Sequence, residues 1–150
     1  MQYAVIGLGR FGFKLATTLF ALGGEVLAID HDKEAIERIK DHVSHTAIAD
    51  CTDEYSLRDL NLQDMDVVIL AMGENIEISI MTTAMLRRLG CHRIMSRALS
   101  RMQGQILLEV GASDIFSLEE QMGDQMAHRL IAPHILESIT LSSGHSLVEF

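Results

Sequence analysis

Among the 150 residues of this chain, three glycines near its start are the best placed to do chemistry. Gly7-Leu8-Gly9-Arg10-Phe11-Gly12 follows the apolar run YAVI and opens a helical pattern. That strand–turn–helix setting is what makes a GxGxxG spacing meaningful. Gly7 permits the tight turn, Gly9 lets backbone approach a pyrophosphate, and Gly12 lets helix and strand pack closely. The helix that begins there offers free N–H groups and the positive end of its dipole to an anion. Asp30 stands 18 residues beyond Gly12, at the end of a second apolar run, EVLAID. A carboxylate at that point accepts hydrogen bonds from ribose hydroxyls and repels a 2′-phosphate. His31 and Asp32 come next, and neither is the arginine that would neutralise such a phosphate. The competing reading is a glycine-rich turn with Asp30 capping the following helix.

Other candidates fall at the carboxyl ends of the apolar runs, where an open α/β sheet places its ligand contacts. Asp50, Cys51 and Thr52 end the third run, on the adenine side of such a site. Thr52 or Asp53 alternatively caps the next helix. Met72, Gly73 and Asn75 end the fourth run, across the crevice, with Gly73 read either as a contact or as a plain turn residue. Arg97 ends the fifth and is either a phosphate ligand or a solvated charge. Arg10 lies inside the glycine loop, where a guanidinium can fork onto phosphates. By position, the candidate set is Gly7, Leu8, Gly9, Arg10, Phe11, Gly12, Asp30, His31, Asp50, Cys51, Met72, Gly73, Asn75 and Arg97. No catalytic residue joins it. The seven histidines have no carboxylate at an interpretable spacing, and GxSxG, CxxC, HExxH and P-loop patterns are absent from the sequence.

The elements that must hold these residues alternate. Strands are expected at Tyr3–Ile6, Glu25–Ile29, Thr46–Ala49, Asp66–Ala71, His92–Ser96 and Asp114–Phe116. Helices are expected at Phe11–Leu22, Lys33–His42, Glu54–Leu60, Ile76–Leu89, Arg101–Val110 and Glu119–Ile131. Regular alternation of this kind implies an α/β, Rossmann-like doubly wound sheet of six mainly parallel strands. The continuous apolar runs AVI, VLAI and VVIL suit strands covered on both faces. After the sixth strand the pattern changes to two helices around Pro133, the second at His134–Ser138, with a strand starting at Ile139–Leu141. The expected division is a nucleotide-binding lobe over 1–118, a helix–turn–helix arm over 119–138, and the start of a further lobe over 139–150, as if cut from a longer protein. Met122, Met126 and Leu130 give the arm an apolar stripe that packs on its own lobe or on a second copy.

With 21 acidic against 12 basic residues the net charge is −9, which argues against nucleic acid as a partner. No apolar run nears the ~20 residues a membrane span needs. Two cysteines and a start that opens directly into a strand pattern point to a reducing, cytoplasmic setting.

VIGLGRFG, EVLAID, HTAIADCTDE, VVILAMGENIEIS and GASDIFSLEEQMG followed by RLIAPHILESI span essentially residues 2–141. Together they resemble the regulator-of-potassium-conductance (RCK) family, also called KTN or TrkA-N domains, and in particular the cytosolic gating subunits of Trk/Ktr potassium transporters. The resemblance implies a Rossmann-type lobe with a crossover arm exchanged between two subunits, dimers assembled as octameric rings, and attachment to an integral membrane potassium transporter or channel subunit at the inner face of the membrane. It implies that ATP, ADP, NAD or NADH binds the cleft and biases the pore. By position Gly7, Gly9, Arg10 and Gly12 match the phosphate loop, Arg10 matching an arginine that senses the terminal phosphate across the dimer. Asp30 matches the ribose carboxylate. Asp50 and Cys51 match the adenine contacts, with Cys51 where the family usually has alanine. Glu119 matches an acidic residue that helps bind a divalent cation between subunits, although Glu120 adjoins it and a first-turn carboxylate is also favoured by the helix dipole alone. The alternatives are an RCK domain serving an ion channel or a cation/proton antiporter, and the cofactor domain of an NAD-dependent oxidoreductase.

Overall fold

The structure is a computed structural model, and it describes residues 1–132. Two compact units divide between Phe116 and Ser117. The first unit holds six strands: β1 (Gln2–Ile6), β2 (Glu25–Asp30), β3 (His45–Ile48), β4 (Val67–Leu70), β5 (Ile94–Arg97) and β6 (Asp114–Phe116). Between them run α1 (Arg10–Ala21), α2 (Lys33–Ile39), α3 (Glu54–Arg58), α4 (Ile76–Arg88) and α5 (Arg101–Val110). Every strand pairing is parallel, so the sheet is wholly rather than mainly parallel.

The strand order is β3-β2-β1-β4-β5-β6. The chain therefore winds outward from β1 in one direction, returns, and winds outward from β4 in the other. That reversal leaves the carboxyl ends of β1 and β4 side by side at a crevice, the usual ligand position in such sheets.

Side-chain alternation along the strands builds a core on each face. Val5, Val26, Ala28, Val67 and Ile69 point one way and meet Ala16 of α1 and Ala35, Ile36 and Ile39 of α2. Ala4, Ile6, Ile29, Val68, Leu70 and Ile94 point the other way and meet Leu57 of α3 and Leu86 of α4. β4 is buried at all four of its residues, which is why VVIL reads as an unbroken apolar run.

Helix boundaries follow local chemistry. The Asp32 side chain accepts from Glu34 N–H and starts α2, and the Ser100 hydroxyl accepts from Gln103 N–H and starts α5. The expected helix to His42 ends at Ile39, and Lys40–His42 tightens into a 3₁₀ turn. A second 3₁₀ turn, Leu62–Asp64, has no counterpart in the sequence reading; it carries buried Leu62 and follows Asn61, which is left-handed at φ 54°.

In the second unit, α6 (Leu118–Ile131) is capped by Ser117, whose hydroxyl accepts from Glu120 N–H. Met122, Met126 and Leu130 are exposed on it. Pro133, the expected helix His134–Ser138 and the expected strand from Ile139 lie outside the described residues.

Candidate functional site

The crevice is built from four loops that follow strands. Behind β1, Gly7 takes φ +96°, a conformation that L side chains rarely adopt, and a Cβ there would stand 3.2 Å from Met72 Cβ. Gly12 is the third residue of α1, where a Cβ would overlap the Gly7 carbonyl oxygen and lie 3.2 Å from Ala71 Cβ. Both glycines are thus required by packing between the loop, α1 and the end of β4. Gly9 is different: a Cβ there would meet nothing within 4 Å. Its openness faces outward, and Gly9 is the N-cap of α1.

That cap has no side-chain hydrogen bond. Every other α-helix among the described residues begins with one, from Asp32, Asp53, Asn75, Ser100 and Ser117. The first turn of α1 also carries no acidic residue. An α-helix leaves its first N–H groups without intrahelical partners, so α1 presents an uncapped, positively polarised end beside a space with no side chain in it. Arg10, the first residue of α1, is exposed at the same end.

Asp30 braces this loop. One carboxylate oxygen accepts from Leu8 N–H at 2.8 Å, and the other accepts from Asp32 N–H at 2.9 Å. Its side chain is 14% exposed, whereas neighbouring His31 is 84% exposed with Nδ1 3.3 Å from the Asp30 carboxylate. The acidic residue at the end of β2 therefore holds the glycine loop in place as well as facing the crevice, a brace that motif spacing alone does not reveal.

On the β3 side, Asp50 accepts from both the hydroxyl and the N–H of Thr52, at 2.6 and 2.9 Å. Those two bonds, with a smaller contribution from His31, hold its carboxyl below the usual range. Asp53, not Thr52, caps α3. Cys51 is half-buried and burial pushes its thiol up; its carbonyl accepts from the Thr82 hydroxyl of α4 at 3.2 Å.

Across the crevice, Asn75 Oδ1 accepts from Ile78 N–H and caps α4. Gly73 packs against β5, since a Cβ on it would lie 3.0 Å from the Arg97 carbonyl. Glu74, which sequence reasoning passed over, bridges the two loops. One of its oxygens accepts from Gly73 N–H at 3.1 Å and the other meets Arg97 Nη1 at 3.3 Å. Arg97 is 14% exposed, so it is not the solvated charge that was one of its two sequence readings. Behind this pair lies Gln103, buried, with its amide N–H₂ on the Gly73 carbonyl and the Ser79 hydroxyl and its oxygen accepting from Leu99 N–H. A glutamine in an amphipathic helix gives no sequence signal of such a role.

Glu119 lies in the first turn of α6. Among the described residues no group of three or more His, Cys, Asp or Glu side chains is placed to hold a metal ion. No helix among them is long and apolar enough to cross a membrane.

Comparison with known proteins agrees with this architecture. The TrkA-N domain model matches residues 3–118. Ktr system potassium uptake protein C of Bacillus subtilis (strain 168) is 40% identical over 148 residues, covering 99% of this chain and 67% of the relative. The NAD(P)-binding domain of an exopolyphosphatase-related protein from Archaeoglobus fulgidus superposes with a TM-score of 0.77 at 29% identity, over 85% of this chain and 96% of that one. The GsuK structure bound to ADP has the same fold, with a TM-score of 0.72 at 23% identity over 89% of this chain and 34% of that one. A parallel sheet with its glycine loop at the switch point, matched by a family model over residues 3–118, places the chain in the TrkA-N domain family.

Proposed function

We propose that this chain is a regulatory subunit of a potassium uptake system, or the sensing part of one, which binds an adenine nucleotide at the switch-point crevice and passes its occupancy to a membrane transporter. The observation that carries the reading is the α1 N-terminus, uncapped behind Gly7–Gly12 while Asp30 holds the loop through Leu8 N–H. Its potassium-system relative and the ADP-bound GsuK neighbour support the two halves of the proposal, transport and ligand.

In this reading phosphate oxygens lie on the free N–H groups of α1, with the Arg10 guanidinium beside them. The adenosine extends toward Asp30, Asp50 and Cys51. ATP, ADP, NAD and NADH all fit such a cradle, and His31 and Asp32 supply nothing to neutralise a 2′-phosphate. Regulation rests on a dimer of these lobes, assembled into a ring against the transporter from the cytoplasmic side. Arg10 reaches a terminal phosphate across the dyad, and Glu119 helps hold a divalent cation there. The role is sensing rather than catalysis. Only unequal affinity for two conformations of the assembly can move the pore.

The test is a thermal-shift titration with ATP, ADP, NAD, NADH and NADPH, with and without Mg²⁺. A ligand at 100 times its dissociation constant stabilises the fold by about 2.7 kcal/mol. Stabilisation by ATP and ADP that disappears in Asp30→Ala supports the reading. A response to NAD or NADH alone redirects it to redox sensing, and no response to any ligand overturns it.

A further inference from the structure

Four features outside the glycine loop compete for a role. The thiol of Cys51 is half-buried and its burial works against the thiolate, and the exposed stripe on α6 has no occupant that its surroundings define. The Arg87 fork, in the last turn of α4, donates among the described residues to backbone carbonyls and Ser113. The Glu74–Arg97 pair joins two strand-end loops across the crevice from the adenine side.

Its geometry places a negative charge on two donors, one from the backbone and one from a guanidinium. Gly73 N–H and the Arg97 guanidinium are donors at the carboxyl ends of β4 and β5, and both meet Glu74. Met72, next to Gly73, is the residue against which Gly7 packs, so this pair adjoins the phosphate loop across the switch point. Glu74 is 72% exposed while Arg97 is 14% exposed. The carboxylate is thus the solvent-facing partner and the guanidinium the buried one.

We propose that Glu74 sets the charge selectivity of the crevice: its carboxylate occupies Gly73 N–H and Arg97, the donors that an outlying phosphate would use, so a ligand with more negative charge at that end must displace it. The proposal rests on the nucleotide reading above and adds which nucleotides the site disfavours. In this reading a monophosphate anchored on α1 brings the least charge toward Glu74. Each further phosphate brings charge toward a carboxylate that backbone hydrogen bonds keep ionised. Repulsion of this kind between partly exposed charges weakens as salt rises. Removing the carboxylate ends the repulsion and takes one counter-charge away from Arg97.

The experiment is calorimetric titration of the purified protein with AMP, ADP and ATP, without divalent cation, at low and high salt. Wild type, Glu74→Gln and Glu74→Ala are compared, melting temperatures confirming that each is folded. In both variants the ATP-to-AMP affinity ratio rises about tenfold over wild type at low salt, equivalent to about 1.4 kcal/mol, and the gain shrinks at high salt. Arg97→Gln moves the ratio the other way. A ratio within twofold of wild type, or a gain that salt does not change, overturns the proposal while leaving nucleotide binding intact. Failure of the wild type to bind any of the three removes the nucleotide reading and this proposal with it.

Discussion

At the scale of single residues, the site depends on carboxylates whose partners are backbone N–H groups. Asp30 is the clearest case. Replacing it with alanine leaves the part-buried Leu8 N–H without its acceptor and hands the exposed Asp32 N–H to water, and a buried donor left unsatisfied costs about 1–3 kcal/mol. Asp30→Ala therefore lowers the stability of the ligand-free protein by about that much, as well as abolishing the nucleotide-dependent shift; urea titration without ligand separates the two effects. An unchanged midpoint contradicts the brace. Asp50 supplies a pH prediction. Its carboxyl is held low chiefly by the Thr52 hydroxyl, so its stabilising contribution is complete above the ordinary carboxylate value and is lost as pH falls through the lowered one. Thr52→Val keeps the backbone bond and removes the hydroxyl, so the Asp50 titration followed by carboxyl NMR moves up toward its ordinary value. A midpoint that stays where it was contradicts the assignment of cause.

At the scale of elements, the sequence was informative wherever a periodicity met a stop signal. α5 and β6 have the expected limits, Arg101–Val110 and Asp114–Phe116, because Ser100 caps the first and the Gly111 turn separates the two. The glycine loop was legible for the same reason, since Gly7 and Gly12 are each required by contacts that any such loop makes. What stayed hidden was tertiary. Glu74, Gln103 and Thr82 act through partners 23 to 31 residues away, and no local pattern encodes such pairings. Arg87, at the end of α4, is a further example: its guanidinium donates to the carbonyls of Gly111, Cys91 and His92 and to Ser113 Oγ, tying α4 to the loops before β5 and β6. Arg87→Met keeps the aliphatic stem and loses these bonds, at a cost of about 1–3 kcal/mol, measured as a lower denaturation midpoint in urea. A midpoint equal to wild type contradicts the assignment of these bonds to stability.

At the scale of the molecule, the sheet has two unlike ends. The carboxyl end carries the glycine loop, Asp30, Asp50, Gly73, Glu74 and Arg97. At the amino end, Asp66 accepts from Gln2 N–H, and His45 Nε2 lies 3.5 Å from a Glu25 carboxylate oxygen. The acidic surface, at net charge −9, adds a general repulsion that any anionic ligand must overcome locally, so binding has to rest on α1 and its loop rather than on long-range attraction. The central claim is that an adenine nucleotide binds at that one end. The most direct measurement is the backbone amide NMR spectrum on titration with ADP. The predicted result is a set of saturable shifts confined to Leu8–Phe13, the residues around Asp30 and the Met72–Asn75 loop, with Gln2, Glu25 and Asp66 unmoved. Shifts centred on the amino end of the sheet, or a glycine loop that does not respond while ADP binds elsewhere, contradict it.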